Sequence, residues 1–141
     1  MPSKHNFISH TADIAFEVEA DSLEELFVES FYGWFNSVIF SDNELKIHSE
    51  MFIEIKADSL EQLLVDFLNE LNFLLITKKI LCLRIENLTI DKRNILLNAF
   101  IRTHNLEDTS IIKSEIKAVT YHQMEIIKKD NKYFVKVVFD I

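Results

Sequence analysis

The stretch FEVEADSLEEL at residues 16–26 recurs, with few changes, as IEIKADSLEQL at residues 53–63. In each copy, polar and apolar residues alternate, which is typical of a half-buried β-strand, and a serine then precedes a leucine-rich segment. Ser22 and Ser59 stand where a helix N-cap side chain accepts a backbone hydrogen bond, and Glu25 and Gln62 complete the pattern of a capping box. The repeat therefore predicts two strands, each of which leads directly into a capped helix.

Both segments after these serines carry their apolar residues on one stripe, as amphipathic helices do. The first stripe is Leu23, Leu26, Phe27, Phe31, Trp34, Phe35 and Val38, and the second is Leu60, Leu63, Leu64, Phe67, Leu68, Leu71 and Leu75. Strand-like alternation occupies about residues 45–48, 81–89, 95–103, 116–121, 124–128 and 133–141. The stripes each need an apolar surface to cover, and the strands can supply it.

The links at 91–94 and 130–132 are short and rich in Asp and Asn, so they predict hairpins and antiparallel pairing. We therefore predict an α+β fold in a single domain spanning residues 1–141. Two amphipathic helices should cover one face of a mostly antiparallel sheet, giving two layers. The unit strand-helix-strand-strand would occur twice, and residues 105–114 should form an exposed loop.

Composition limits the classes of function. The net charge is −8, which disfavours direct binding to a phosphate backbone and favours cations or a basic protein surface as partners. The single glycine, Gly33, lies within the first helical pattern, so a phosphate-cradling glycine loop is excluded. Cys82 is the only cysteine and should be a buried thiol. We find no signal-peptide pattern and no long apolar run, which predicts a cytoplasmic protein without a membrane span.

Carboxylates stand near both ends of the chain. The sequence ends in an apolar, strand-like run that holds Asp140 and the α-carboxylate of Ile141, and Asp13 follows His10 and Thr11 near the start. If the fold brings the two ends together, three carboxylates meet, and such oxygen donors suit Ca²⁺ or Mg²⁺ better than Zn²⁺. The alternative is that the residues around Asp13 only close a turn.

The segment at 117–122 is a second candidate site. Lys117 and His122 lie in or beside a predicted strand, where a lysine on the solvated face is the simpler reading. His122 or His10 could serve as a base beside the carboxylates, as in a stand-alone metal-dependent phosphoester hydrolase. No serine or cysteine nucleophile motif accompanies them.

Four segments together resemble the archease family: residues 10–14, 67–71, 117–122 and 138–141. The resemblance extends over essentially the whole chain. It departs from the family pattern at Ala15 and Gln123, where glycine is often found. It implies a small α+β protein that is not an enzyme but a protein cofactor of an RtcB-type RNA ligase. Such ligases join tRNA halves and other RNAs that carry a 3′-phosphate or 2′,3′-cyclic phosphate, using GTP and a divalent metal.

The resemblance also implies roles for particular residues. The activator would promote guanylylation of the ligase and its multiple turnover, and it would bind a divalent metal through Asp13, Asp140 and Ile141. The metal would be Ca²⁺, with Mg²⁺ or Mn²⁺ as alternatives. Lys117 would be a further functional residue, with His10 and Thr11 beside the metal ligands. The expected partner is the ligase, with little or no direct nucleic-acid binding and at most weak self-association. A chaperone-like acidic module is the alternative function.

Overall fold

The computed structural model describes residues 3–8, 13–40, 45–121 and 123–141. Its helices and longer strands follow the repeat, with strand then helix in each copy. The elements are β1 (Lys4–Ile8), β2 (Asp13–Ala20), α1 (Leu23–Val38), β3 (Ser49–Lys56), α2 (Leu60–Lys78), β4 (Ile80–Asp91), β5 (Leu96–Asn105), a 3₁₀ turn (Thr109–Ile111), β6 (Ala118–Val119), β7 (Ile127–Lys129) and β8 (Lys132–Asp140).

The strands form two antiparallel sheets. In the five-stranded sheet the order is β1, β2, β8, β6, and β7 also pairs with β8. The last strand of the chain therefore lies inside this sheet, with β2 on one side and β6 and β7 on the other. The second sheet has three strands in the order β3, β5, β4.

The predicted α+β class is confirmed, but the strands occupy two sheets rather than one. The helices also do more than cover one face, because α1 and α2 each contact strands of both sheets. Alternation along a strand shows which residues face the core, but it does not show which strand lies alongside. The two hairpins were predictable from their short links, whereas the division into sheets depends on long-range pairing.

Both predicted hairpins are confirmed, as β4 with β5 and β7 with β8. The prediction of a strand at Leu45–His48 is wrong, since the ladder of β3 with β5 begins only at Ser49. His48 donates its N–H to the Thr103 carbonyl, but residues 45–47 lie outside the β-ladders. The predicted strand at 116–121 is reduced to β6, and β1 was not predicted. A hydrogen bond between His5 and Glu29 of α1 joins β1 to the helix layer.

The region expected to be an exposed loop is partly anchored. Residues 107–110 are exposed, as predicted. Leu106 is buried, however, and the N–H of Lys113 donates to the Val38 carbonyl at 2.6 Å. Ile112 forms a bridge with Ile39. The end of α1 therefore holds this loop against the body of the protein.

The serine caps are as predicted. Ser22 Oγ accepts from the N–H of Glu25, and Ser59 Oγ accepts from the N–H of Gln62, both at 3.1 Å. The carboxamide of Gln62 donates to Asp66 along the helix. Asp130 and Asn131 form the two-residue turn between β7 and β8 with φ values of 53° and 63°. Asp and Asn tolerate this left-handed conformation better than most residues, which is how a chain with a single glycine makes the turn.

The core lies where the helix stripes meet the sheets. Every residue of the first stripe is buried, and in the second only Leu60 is partly exposed. Phe16 of β2 and Phe139 of β8 pack edge to face with ring centroids 5.4 Å apart. Cys82 is fully buried, and burial raises the pKa of its thiol to about 12, so it is an inert core residue as predicted. Among the described residues, no helix combines the length and apolar character needed to cross a bilayer.

Gly33 packs against Phe16, which makes it a test of this core. A Cβ at this position would overlap the Phe16 ring, and even the farthest of the three nearest ring atoms, Cδ2, would be only 2.9 Å away. Alanine favours a helix over glycine by about 1 kcal/mol, whereas overpacking costs about 1–3 kcal/mol. We expect Gly33→Ala to destabilise the protein in urea denaturation followed by circular dichroism.

Phe16→Leu provides the matched background for that measurement. If the Phe16 ring is the obstacle, Gly33→Ala should cost less in the Phe16→Leu protein than in the native one, because the smaller side chain leaves room. A Gly33→Ala protein more stable than the native one would contradict the packing described above.

Candidate functional site

The antiparallel register of β2 and β8 brings the two ends of the chain together. Asp13 lies directly opposite Asp140, at the last step of an eight-residue ladder. Residues that face each other in this way have Cβ atoms about 5 Å apart and point to the same face of the sheet. Val137 and Phe139 point into the core, so alternation puts Asp140 and Asp13 on the outer face. Ile141 follows immediately and is 47% exposed.

The segment around Lys117 flanks the same strand end on its other side. Ala118 pairs with Asp140, and the N–H of Lys117 donates to the Asp140 carbonyl at 2.8 Å. Thr120 continues the pairing through its N–H to the Val138 carbonyl at 3.0 Å. The end of β8 is therefore held between β2 and β6, which fixes where Asp140 and Ile141 lie.

Two asparagines of α2 hold the β6 segment in place. Asn69 Oδ1 accepts from the N–H of Val119 at 2.9 Å. Asn72, only 6% exposed, donates from Nδ2 to the Ile116 carbonyl at 2.7 Å and accepts from Trp34 Nε1 at 3.2 Å. Buried polar groups of this kind require such partners. The sequence did not reveal this role, and the available signal was a polar residue on an otherwise apolar helix face.

Lys117 lines a groove that neither aspartate lines. Ala118 pairs with Asp140 and shares its face of the sheet, whereas Lys117 precedes β6 and is exposed. Lys117 lines an open groove of about 550 Å³ against α2, together with Asn69, Phe73, Ile76 and Glu115. The structure thus joins Lys117 to Asp140 through the backbone and directs its side chain toward the neighbouring groove.

The donor atoms at the strand end suit a hard cation. Asp13 and Asp140 supply two carboxylates on one face, and Ile141 follows Asp140 directly. Across residues 3–8, 13–40, 45–121 and 123–141, no group of three His, Cys, Asp or Glu side chains could hold a metal ion. A set of oxygen donors completed by water is what Ca²⁺ and Mg²⁺ accept.

Three of the predicted site residues, His10, Thr11 and His122, lie outside the described residues. Gln123, where the resemblance led us to expect glycine, has a φ of 58°. Glycine adopts this left-handed conformation without steric cost, so the backbone there has the shape that a glycine would favour. Ala15, the other departure, is buried in β2 opposite Val138.

Comparisons with known proteins match this chain to one family over nearly its whole length. A sequence model of the Archease protein family matches residues 5–141. Protein archease of Archaeoglobus fulgidus is 30% identical over 138 residues, covering 98% of this chain and 99% of that protein. Protein archease of Methanosarcina barkeri is 32% identical over 141 residues, covering 98% and 96%.

Solved structures agree with these relatives. The solution structure of Methanobacterium thermoautotrophicum protein 1598 superposes with a TM-score of 0.77 at 28% identity, covering 97% of this chain and 98% of that one. The crystal structure of an archease from Thermotoga maritima, described as a possible chaperone, gives a TM-score of 0.63 at 27% identity, with coverage of 95% and 94%. The fold described above is therefore the fold of these proteins.

The asparagine contacts predict an order of stabilities. Asn72→Ala leaves the buried Trp34 N–H and the Ile116 carbonyl without their partner, so it should cost about 2–4 kcal/mol. Asn69→Ala removes one hydrogen bond at a partly buried position and should cost about 1 kcal/mol. Urea denaturation followed by circular dichroism measures both. Equal costs, or a larger cost for Asn69→Ala, would show that Asn72 does not have the structural role assigned to it.

Proposed function

Because the chain belongs to the archease family, we propose that it is a metal-binding accessory protein that activates an RtcB-type RNA ligase in tRNA splicing and RNA repair. It would be a protein cofactor of the ligase in the cytoplasm, promoting guanylylation and multiple turnover, and not an enzyme itself. The observation that supports this most is the pairing of Asp13 with Asp140 beside Lys117, at one exposed strand end.

In this proposal Asp13, Asp140 and the carboxylate of Ile141 hold a divalent cation, Ca²⁺ in the first instance, with Mg²⁺ or Mn²⁺ as alternatives. The donor set described above fits such an ion. When bound, the cation would neutralise the mutual repulsion of three anions and give the strand end a fixed charge distribution. The backbone contacts of β2 and β6 to β8 would keep these ligands in place without any change of fold.

The remaining residues of the site would recognise the partner. Lys117 is exposed and lines the groove, so it can meet a carboxylate or phosphate at the ligase surface. The net charge of −8 favours association with a basic protein surface. A ligase that binds RNA presents such a surface. The acidic end and Lys117 together would set the orientation of docking.

Multiple-turnover RNA ligation by the cognate ligase tests the proposal directly. We expect this protein to increase the number of ligation cycles per ligase molecule. Asp140→Asn should reduce that stimulation at least about tenfold, since losing even an outer-shell partner of a metal site costs about 10–100-fold. Asp58→Asn is the matched control, because Asp58 is an exposed aspartate outside the site. If the native protein leaves the number of ligation cycles per ligase molecule unchanged, the proposed function is contradicted.

The same assay separates activation from a chaperone-like role, which the description of the Thermotoga maritima protein suggests. A chaperone that shields its client needs no metal ligands, so its effect would survive in Asp13→Asn and Asp140→Asn and would appear as reduced ligase aggregation. Loss of stimulation in both variants, with the ligase equally soluble throughout, supports the activator.

The terminal ligand can be tested without substituting any residue. Residues appended after Ile141 would remove its α-carboxylate from the site, whereas the same residues appended before Met1 would leave it intact. We expect calorimetry to show weaker Ca²⁺ binding only for the first protein. Ligand at a hundredfold excess over Kd stabilises a fold by about 2.7 kcal/mol, so Ca²⁺ should raise the Tm of the N-terminally extended protein alone. Equal Ca²⁺ affinity in both would exclude the terminal carboxylate as a ligand.

A further inference from the structure

The positive charges of this acidic protein are unevenly placed. Five of its 15 lysines and arginines lie in the turn between β4 and β5 and in the hairpin from β7 to β8, at residues 92, 93, 128, 129 and 132. These two segments, 91–94 and 128–132, contain only two acids, Asp91 and Asp130, so their own side chains sum to +3. Of these five cations, Lys132 is paired with Glu19 and Asp21. The net charge of −8 conceals this basic end.

The two turns meet at one tyrosine. Lys92 Nζ donates to the Tyr133 hydroxyl oxygen at 2.9 Å, although Lys92 lies in the turn after β4 of one sheet and Tyr133 lies in β8 of the other. Lys92 and Lys128 also place their ammonium groups 5.4 and 5.6 Å from the centre of the Tyr133 ring. Two exposed cations are thus gathered on a single phenol, and their mutual repulsion favours an anion beside them.

The phenol responds to these charges. The hydrogen bond from Lys92 lowers the pKa of Tyr133, and the positive charges of Lys92 and Lys128 lower this pKa further. Because the phenol oxygen accepts from Lys92, its own O–H is directed elsewhere and can donate to an acceptor beside it. Tyr133 and the two lysines therefore offer three donors that converge from different directions.

These donors line an open cavity of about 310 Å³ between the two turns and the start of α1. Asn131 lies on the same wall. Asp21 and Glu24 also line the cavity. Asp21 accepts from Lys132 at 3.0 Å, and Glu24 is a counter-charge to Lys92, whose pKa is raised by the hydrogen bond to Tyr133 and by the Glu24 carboxylate. The N-terminus of α1 adds little of its own, since Ser22 already accepts the N–H of Glu25 there.

We propose that Lys92, Lys128 and Tyr133 form a binding site for a phosphate group. A tetrahedral phosphate offers oxygens in several directions and suits converging ammonium and hydroxyl donors better than a planar carboxylate does. The phosphate can belong to a free nucleotide or to an RNA strand, and the chemistry of the site is the same for both. The site is separate from Asp13 and Asp140 and does not depend on the function proposed above.

Binding can be measured with the whole protein by NMR titration and calorimetry, using inorganic phosphate, GTP and a short single-stranded RNA as probes. We expect shifts of the backbone amides of Asn131 and Tyr133 and saturable binding. Lys92→Gln/Lys128→Gln should weaken binding at least about tenfold, because two charge-assisted hydrogen bonds are lost. Lys56→Gln/Lys136→Gln removes the same charge from exposed positions elsewhere and should leave the affinity within about twofold, as surface charges remote from a ligand are largely screened.

A second readout uses the ultraviolet absorbance of tyrosinate. Lys92→Gln should raise the pKa of Tyr133 toward the ordinary value of about 10, and bound phosphate should do the same in the native protein. RNA that binds more tightly than GTP, with affinity falling as salt increases, would identify a strand as the source of the phosphate. Equal affinity for RNA and GTP would identify a free phosphate compound as the ligand.

The proposal is overturned if phosphate leaves the resonances of Asn131 and Tyr133 unchanged, or if the Lys92/Lys128 double variant binds as well as its charge-matched control. A glutamate-rich peptide that binds where all three phosphate probes fail would instead identify an acidic protein segment as the ligand and would equally overturn it.

Discussion

The pairing of β2 with β8 is the interaction on which the rest of the structure depends. Its eight-residue ladder runs from Ala20 opposite Tyr133 to Asp13 opposite Asp140. On the inner face it brings Phe16 against Phe139, and on the outer face it brings two carboxylates together. Because side chains alternate along a strand, a slip of β8 by one residue would send Asp140 toward the core and Phe139 toward the outer face. The packing of the aromatic core and the geometry of the acidic end are therefore set by the same register.

The helices contribute to the site through polar contacts as well as apolar ones. Asn72 links Trp34 of α1 to the carbonyl of Ile116, and Asn69 holds Val119. These bonds keep β6 against β8, and β6 in turn positions the backbone of Lys117 beside Asp140. A buried hydrogen bond contributes modestly to net stability, but leaving its partners unpaired is costly. The position of the Lys117 segment is thus tied to the core.

Charge is organised by location in this protein. The acidic residues Asp13 and Asp140 meet at one end of the β2–β8 ladder, whereas Tyr133 and its two lysines lie at the other. The ladder separates them, since Tyr133 pairs with Ala20 and Asp140 with Asp13. A net charge of −8 describes the average field far from the surface but not the field within a Debye length of either end. One small fold can therefore present two surfaces that attract ligands of opposite charge.

The sequence by itself determined the local features. Ser22 and Ser59 cap helices because the groups they bind lie three residues away, and Asp130 with Asn131 makes a hairpin because those residues tolerate positive φ. The α+β class and the buried stripes follow from the same short-range patterns. Only the tertiary structure decided the division into two sheets, the pairing of Asp13 with Asp140 and the meeting of Lys92 with Tyr133. Those contacts join residues far apart in the chain, and they form because packing of the whole core compensates the entropy lost in closing the intervening loops.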